Sequence, residues 1–122
     1  QFATLTDIIT KAWSDKTTKE YKILKGLKKE NLRDNMTNTE LILNMLAEAS
    51  TKDISAATNP KTFEDNKKVA KQGGIVAKVA RKELEAKTGK KVITSLNAKS
   101  ASQLKSSDSK KKANNASQQS NA

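Results

Sequence analysis

The sequence predicts an all-α domain: a small bundle of about four helices, with a long C-terminal helix and then a disordered tail. Three observations carry that prediction. Two capping boxes, Thr17-Thr18-Lys19-Glu20 and Thr37-Asn38-Thr39-Glu40, mark helix starts, because a Thr hydroxyl and a Glu carboxylate three residues on satisfy the free N–H groups of a first turn. Between and after them, apolar residues recur at helical spacing. Gly26, Asn59-Pro60 and Gly89 then fall where those patterns stop.

The elements follow in order. Phe2, Leu5, Ile9 and Ala12 fall on one face of an opening helix, with Ile8 and Trp13 flanking it. The chain begins in mid-pattern at Gln1, which reads as a piece of a longer protein. Ser14-Asp15 interrupts this helix, and the first capping box opens a short second one. Tyr21, Leu24 and Leu27 form its apolar edge, and Gly26 can end it in the left-handed conformation. A helix-turn-helix can be drawn around 17–33, though its turn chemistry is not distinctive.

The second capping box opens a helix over about 38–57 on which Leu41, Ile42, Met45, Leu46 and Ala49 share a face. Met36, just before the cap, is placed to staple back onto Leu41. Asn59-Pro60 ends the stretch.

Thr62 is the next N-cap, with Glu64 and Asp65 favourable in the first turn, and the last helix runs to Thr88 before Gly89. Phe63, Ala70, Ala77 and Leu84 recur every seven residues along it. Ala70, Gly73, Gly74, Ala77 and Ala80 make one side smooth enough for another helix backbone to approach closely. Gly in a helix interior costs about 1 kcal/mol relative to Ala, so the Gly73-Gly74 pair calls for close packing or a kink. A phosphate loop is the poorer reading of that pair, since no strand precedes it and no P-loop Lys-Ser/Thr follows in place. Ile75 and Val79 sit off the apolar side and point to a second packing partner. Val92-Ile93 reads as a short extended piece. The domain closes at about residue 98, and residues 99–122 form a Ser/Lys/Asn tail with Leu104 as its one large apolar group, too little to offset the entropy of ordering.

Composition narrows the function. Among 122 residues there is no His and no Cys. That excludes disulfides, thiol nucleophiles, Cys-ligated zinc and imidazole acid–base catalysis. Glu83 and Glu85 point to different sides of a helix, and Glu30/Asp34 and Glu64/Asp65 suit surface pairing and the helix dipole. No nucleophile–base pair emerges, so the sequence reads as a non-enzyme requiring no metal and no cofactor. No apolar run reaches the length of a membrane span.

The formal charge is +11, and it is organised in blocks. Residues 11–33 carry net +5, 34–66 net −4, 67–91 net +7 and the tail from 99 net +4. Of the 24 cations only Arg33 and Arg81 are arginines. Bidentate base reading favours Arg, whereas lysine suits a diffuse, salt-sensitive attraction to phosphates. On a continuous final helix, Lys67, Lys71, Lys78, Arg81 and Lys82 fall roughly opposite the alanine–glycine side, as an outward basic ridge that Glu85 interrupts. Lys25, Lys28, Lys29 and Arg33 are the matching candidates in the first basic block. Zinc-finger spacing and RNA-recognition signatures are absent, and Trp13 and Tyr21 read as packing residues rather than base platforms.

Longer strings add a family resemblance. Glu30-Asn31-Leu32-Arg33-Asp34-Asn35-Met36-Thr37, Glu40-Leu41 and Leu46-Ala47-Glu48-Ala49-Ser50-Thr51 resemble the C-terminal region of prophage antirepressor-like proteins. These carry a Bro-type N-terminal domain and are related to bacterial DNA-damage-inducible protein D. Asn66-Lys67-Lys68-Val69-Ala70, Gly73-Gly74, Ala80-Arg81-Lys82-Glu83-Leu84-Glu85 and Lys87-Thr88-Gly89-Lys90-Lys91-Val92-Ile93, closing with Ser95 and Asn97, are similar to the same region and collinear with it. The resemblance implies a mobile-element or stress-response regulator of the bacterial cytoplasm, associated with the nucleoid. It implies action by binding DNA, or a repressor or other DNA-bound protein, and the lysine excess makes the DNA contact one to the phosphate backbone with weak sequence preference. It carries over no site residue, and the Bro-type domain is not within these 122 residues. Two functions therefore stand: an accessory domain that holds phosphates through lysines, or a docking or homo-oligomerisation module with no DNA affinity of its own.

Overall fold

The computed structural model describes residues 2–96, with the backbone alone at Phe2. The tail expected from 99 lies outside the described residues. Four α-helices, α1 (Phe2–Ser14), α2 (Thr18–Leu24), α3 (Asn38–Thr58) and α4 (Phe63–Thr88), form an all-α bundle. A single 3-10 turn, Arg33–Asn35, precedes α3.

Both capping boxes form. Thr17 Oγ1 accepts from the Glu20 N–H at 3.1 Å while Glu20 accepts from the Thr17 N–H at 2.8 Å. Thr37 and Glu40 repeat the exchange at 3.3 and 2.8 Å. Thr62 caps α4 through the Asp65 N–H at 3.0 Å. The helix ends are equally local in origin. Gly26 takes φ +73°, its N–H bonds Ile23 and that of Leu27 bonds Lys22, which closes α2 in a Schellman motif. Asn59 and Gly89 end α3 and α4 in the left-handed region. Asp15 ends α1 the same way at φ 65°, a conformation Asp tolerates better than most side chains.

The four-residue connection 59–62 lays α4 antiparallel on α3, and α1 packs against the other side of α4. A β-carbon on Gly73 would stand 2.6 Å from Thr51 Cα of α3, and one on Gly74 would stand 2.9 Å from the Ile9 carbonyl oxygen of α1. α4 stays one continuous helix through the pair. Adjacent glycines thus admit two different neighbours, and close approach rather than a kink accounts for both. Ala70 and Ala77 are buried between them, and Ala80 is half-buried.

The core is small and centred on Trp13 and Tyr21, both fully buried with ring centroids 6.1 Å apart. Leu32, Met36, Leu43, Ala47 and Ala77 complete it, and Leu41, Val92 and Ile93 pack around it. Several expectations need correcting here. Trp13, read as flanking, is the centre of the α1 contact. No second helix of a helix-turn-helix follows α2 within 25–32, and 92–93, read as a short extended piece, is a bend.

The largest departure is on α3. Its buried side is Glu40, Leu43, Asn44 and Ala47, while Ile42, Met45, Leu46 and Ala49 face outward. Hydrophobic periodicity located a real apolar stripe but not the one the fold buries. The buried stripe is selected by polar partners on α1 and α2 and by the close Ala47–Ala77 approach.

Candidate functional site

The nine cations proposed for phosphate contact divide sharply. Lys25 and Arg81 are buried, at 3% and 6% exposure. Arg81 therefore departs from the outward ridge on which a helical wheel puts it. Its Nε donates to the Trp13 carbonyl at 2.9 Å, and its guanidinium reaches Asp15 at 2.7 Å and Glu85 at 3.1 Å. Lys78 binds the other Asp15 oxygen at 2.8 Å. Arg33 is held by Glu48 at 2.8 Å, and Lys67 by Glu64 at 3.2 Å with its ammonium 5.5 Å from the Phe63 ring. Lys28, Lys29, Lys71 and Lys82 are exposed and make no ion pair among the described residues.

The buried cations belong to a polar seam. Glu40, with no exposed surface, accepts from Lys25 Nζ at 2.5 Å and from the Thr37 N–H on one oxygen, and from the Tyr21 hydroxyl at 2.6 Å on the other. Lys25 also donates to the Leu96 carbonyl, which ties the segment after α4 to α2. Burial, and then the Glu40 hydrogen bond, push the Tyr21 phenol far above its ordinary pKa. One turn along α3, Asn44 accepts from Trp13 Nε1 at 3.0 Å. Just past the C-terminal end of α1, two residues beyond Trp13, the hydrogen bond from Lys78 holds the Asp15 carboxyl below the usual range, with Arg81 acting in the same sense. Burial opposes ionisation of Glu85, but the Val92 N–H and Arg81 outweigh it and hold that carboxyl low as well.

Every member of this seam is occupied by another member or by backbone. A buried ion pair such as Lys25–Glu40 positions the elements that it joins. Sequence reading missed Glu40, Asn44 and Asp15 as organising residues. The one available signal was the second capping box, which marks Glu40 as a cap but says nothing of Lys25 or Tyr21. Among the described residues no group of three or more acidic side chains stands together to hold a metal ion, and no helix is long and apolar enough to cross a membrane.

What remains open to a partner is an apolar face. Ile42, Met45 and Leu46 on α3 and Ile75, Val76, Val79 and Leu84 on α4 are exposed, Ile42 and Val79 at 64% each. Helix geometry places them relative to one another. Gly73 meets Thr51, so one turn along the antiparallel pair brings buried Ala77 opposite buried Ala47, and Leu46 and Val76, one residue earlier on each helix, emerge on the same side. Glu48 and Lys78, one residue later, emerge on the other side, where they meet Arg33 and Asp15. Leu46 and Val76 therefore stand together on the side of the α3–α4 pair facing away from α1, with Ile42 and Val79 at its edges. Comparison with family models, with curated proteins and with solved structures returns no match to this chain.

Proposed function

We propose that this chain is a helical assembly module that joins a second copy of itself through the outer face of α3 and α4. The observation that carries this reading is the placement of exposed Leu46 and Val76 side by side on the outer side of the α3–α4 pair, flanked by exposed Ile42 and Val79. Contiguous exposed apolar surface of this kind marks association sites in soluble domains. The face is also self-complementary. A two-fold axis parallel to the helices lays α3 of one copy antiparallel on α4 of the other, with Leu46 at the level of Val76 in the second copy. Sedimentation equilibrium tests this. The chain is expected to dimerise with a dissociation constant on the order of 10 μM, and Leu46→Glu or Val76→Glu is expected to yield a monomer with unchanged helical circular dichroism. A wild-type monomer at concentrations about tenfold higher would overturn the reading.

A second reading, phosphate attraction, is supported by exposed Lys28, Lys29, Lys71 and Lys82, which make no ion pair among the described residues. The two are compatible, because a dimer doubles the lysine surface. The resemblance of the 30–51 and 66–97 strings to antirepressor-like C-terminal regions supports placing such a module in a DNA-associated regulator.

A further inference from the structure

The surface between α1 and α2 has a character different from the α3–α4 face. Two adjoining cavities run along it, sharing Thr6, Thr18 and Lys22, so that together they form one groove. Its inner end, about 300 Å³, is floored by Ile9, Leu32 and Met36, with Lys22 and Arg33 at the rim. Its outer end is walled by Ile23 and Leu27, with Lys19, Lys22 and Lys28 around them. Ile23 is 67% exposed, the highest value among the large hydrophobic side chains on the surface.

The charge lining this groove is predominantly positive. The carboxylates lining it are already engaged: Asp7 accepts from the Thr18 N–H at 2.8 Å, and Glu48 holds Arg33. Lys19, Lys22 and Lys28 make no ion pair among the described residues, and with Arg33 they outnumber Asp7 and Glu48 in the lining, so the groove keeps a positive excess. Aliphatic side chains and cationic groups thus line the groove at both of its ends.

From this juxtaposition we infer that the α1–α2 groove docks an acidic segment of a partner protein, one in which carboxylates alternate with aliphatic side chains. The carboxylates meet Lys19, Lys22 and Lys28, and the aliphatic groups cover Ile23 and Leu27 and enter the inner cavity. Charge complementarity selects the sign of the partner, and the floor selects a peptide over a nucleic acid. A phosphodiester backbone has no aliphatic groups to lay on Ile23, and no aromatic side chain is among the residues lining the groove to stack on bases. The inference is independent of the α3–α4 dimer, since the two surfaces share no residue.

Fluorescence anisotropy on the full chain tests it with three labelled probes of equal length: a peptide alternating Glu and Leu, a peptide of Glu and Ser, and a single-stranded oligonucleotide. The Glu/Leu peptide is expected to bind most tightly. Lys19→Glu with Lys22→Glu is expected to weaken it about tenfold, and Ile23→Ser several-fold. Lys71→Glu with Lys82→Glu on α4 is expected to leave it unchanged, and all variants keep the helical circular dichroism of the parent. Equal binding of the two peptides would overturn the inference by reducing the groove to a patch of charge. Preferential binding of the oligonucleotide, lost with the same α2 variants, would overturn it in favour of a nucleic-acid groove. An equal loss from the α4 variant would show that the groove is not the site.

Discussion

Gly73 and Gly74 occupy positions of α4 where neither neighbouring helix leaves room for a β-carbon. The added carbon of Gly73→Ala meets Thr51 Cα and N at 2.6 Å, and that of Gly74→Ala meets the Ile9 carbonyl at 2.9 Å. Backbone cannot move aside as the end of a long side chain can, so overpacking outweighs the gain in helix propensity of about 1 kcal/mol. Each substitution is expected to destabilise the domain by about 2–3 kcal/mol in thermal or urea unfolding. Gly26→Ala, at a positive-φ turn with open space around it, is expected to cost only about 1 kcal/mol. An unchanged or raised melting temperature for Gly74→Ala would show that α1 does not lie where described. Glu40 is the polar counterpart of these glycines. Its two oxygens tie α2, the α3 cap and Lys25 together, so its placement is as restrictive as a packed core side chain.

At the scale of the element, the two capping boxes have the same local chemistry and different consequences. The Thr17 box lies on an exposed turn, and Thr17→Ala is expected to cost about 1 kcal/mol, the usual value for a lost N-cap. The Thr37 box holds the residue on which the buried seam depends. Thr37→Ala loosens the first turn of α3 and with it the Glu40 contacts to Tyr21 and Lys25. Its expected cost is about 2–3 kcal/mol, and equal urea midpoints for the two variants would refute the coupling. Helix boundaries were legible in the sequence because caps act over three or four residues. The Thr17, Thr37 and Thr62 starts and the Gly26, Asn59 and Gly89 ends all appear where the local chemistry puts them. The buried side of α3 was not legible. Ile42, Met45, Leu46 and Ala49 outscore Glu40, Leu43, Asn44 and Ala47 on hydrophobicity, and only the polar partners supplied by α1 and α2 reverse that ranking.

Over the whole molecule, folding redistributes the charge. Lys25 and Arg81 are withdrawn from the surface, and Arg33, Lys67 and Lys78 are tied to carboxylates, so the basic ridge inferred along α4 is reduced to Lys71 and Lys82, with Lys28 and Lys29 beyond α2. Attraction to duplex DNA through so few lysines is expected to be weak and to fall with a log–log salt slope of about −2 to −4 in gel-shift titrations. Lys71→Glu with Lys82→Glu is expected to lower affinity and flatten that slope. Absence of binding at low salt, or a slope of zero, would eliminate the phosphate reading and leave the module to protein association alone.

By itself, the sequence determined the helical class, the order and limits of the helices, the smooth α4 face and the clustering of lysines. Each of these depends on neighbours a few residues away, through capping, 3.6-residue periodicity or residue size. Tertiary structure alone decided which cations stay free, which stripe of α3 is buried and which apolar stripes face solvent. Those outcomes depend on groups far apart in the chain: Glu40 with Lys25 and Tyr21, Asp15 with Lys78 and Arg81, Gly73 with Thr51. A buried charge must find its counter-charge, and a β-carbon must find room, only after the helices have met.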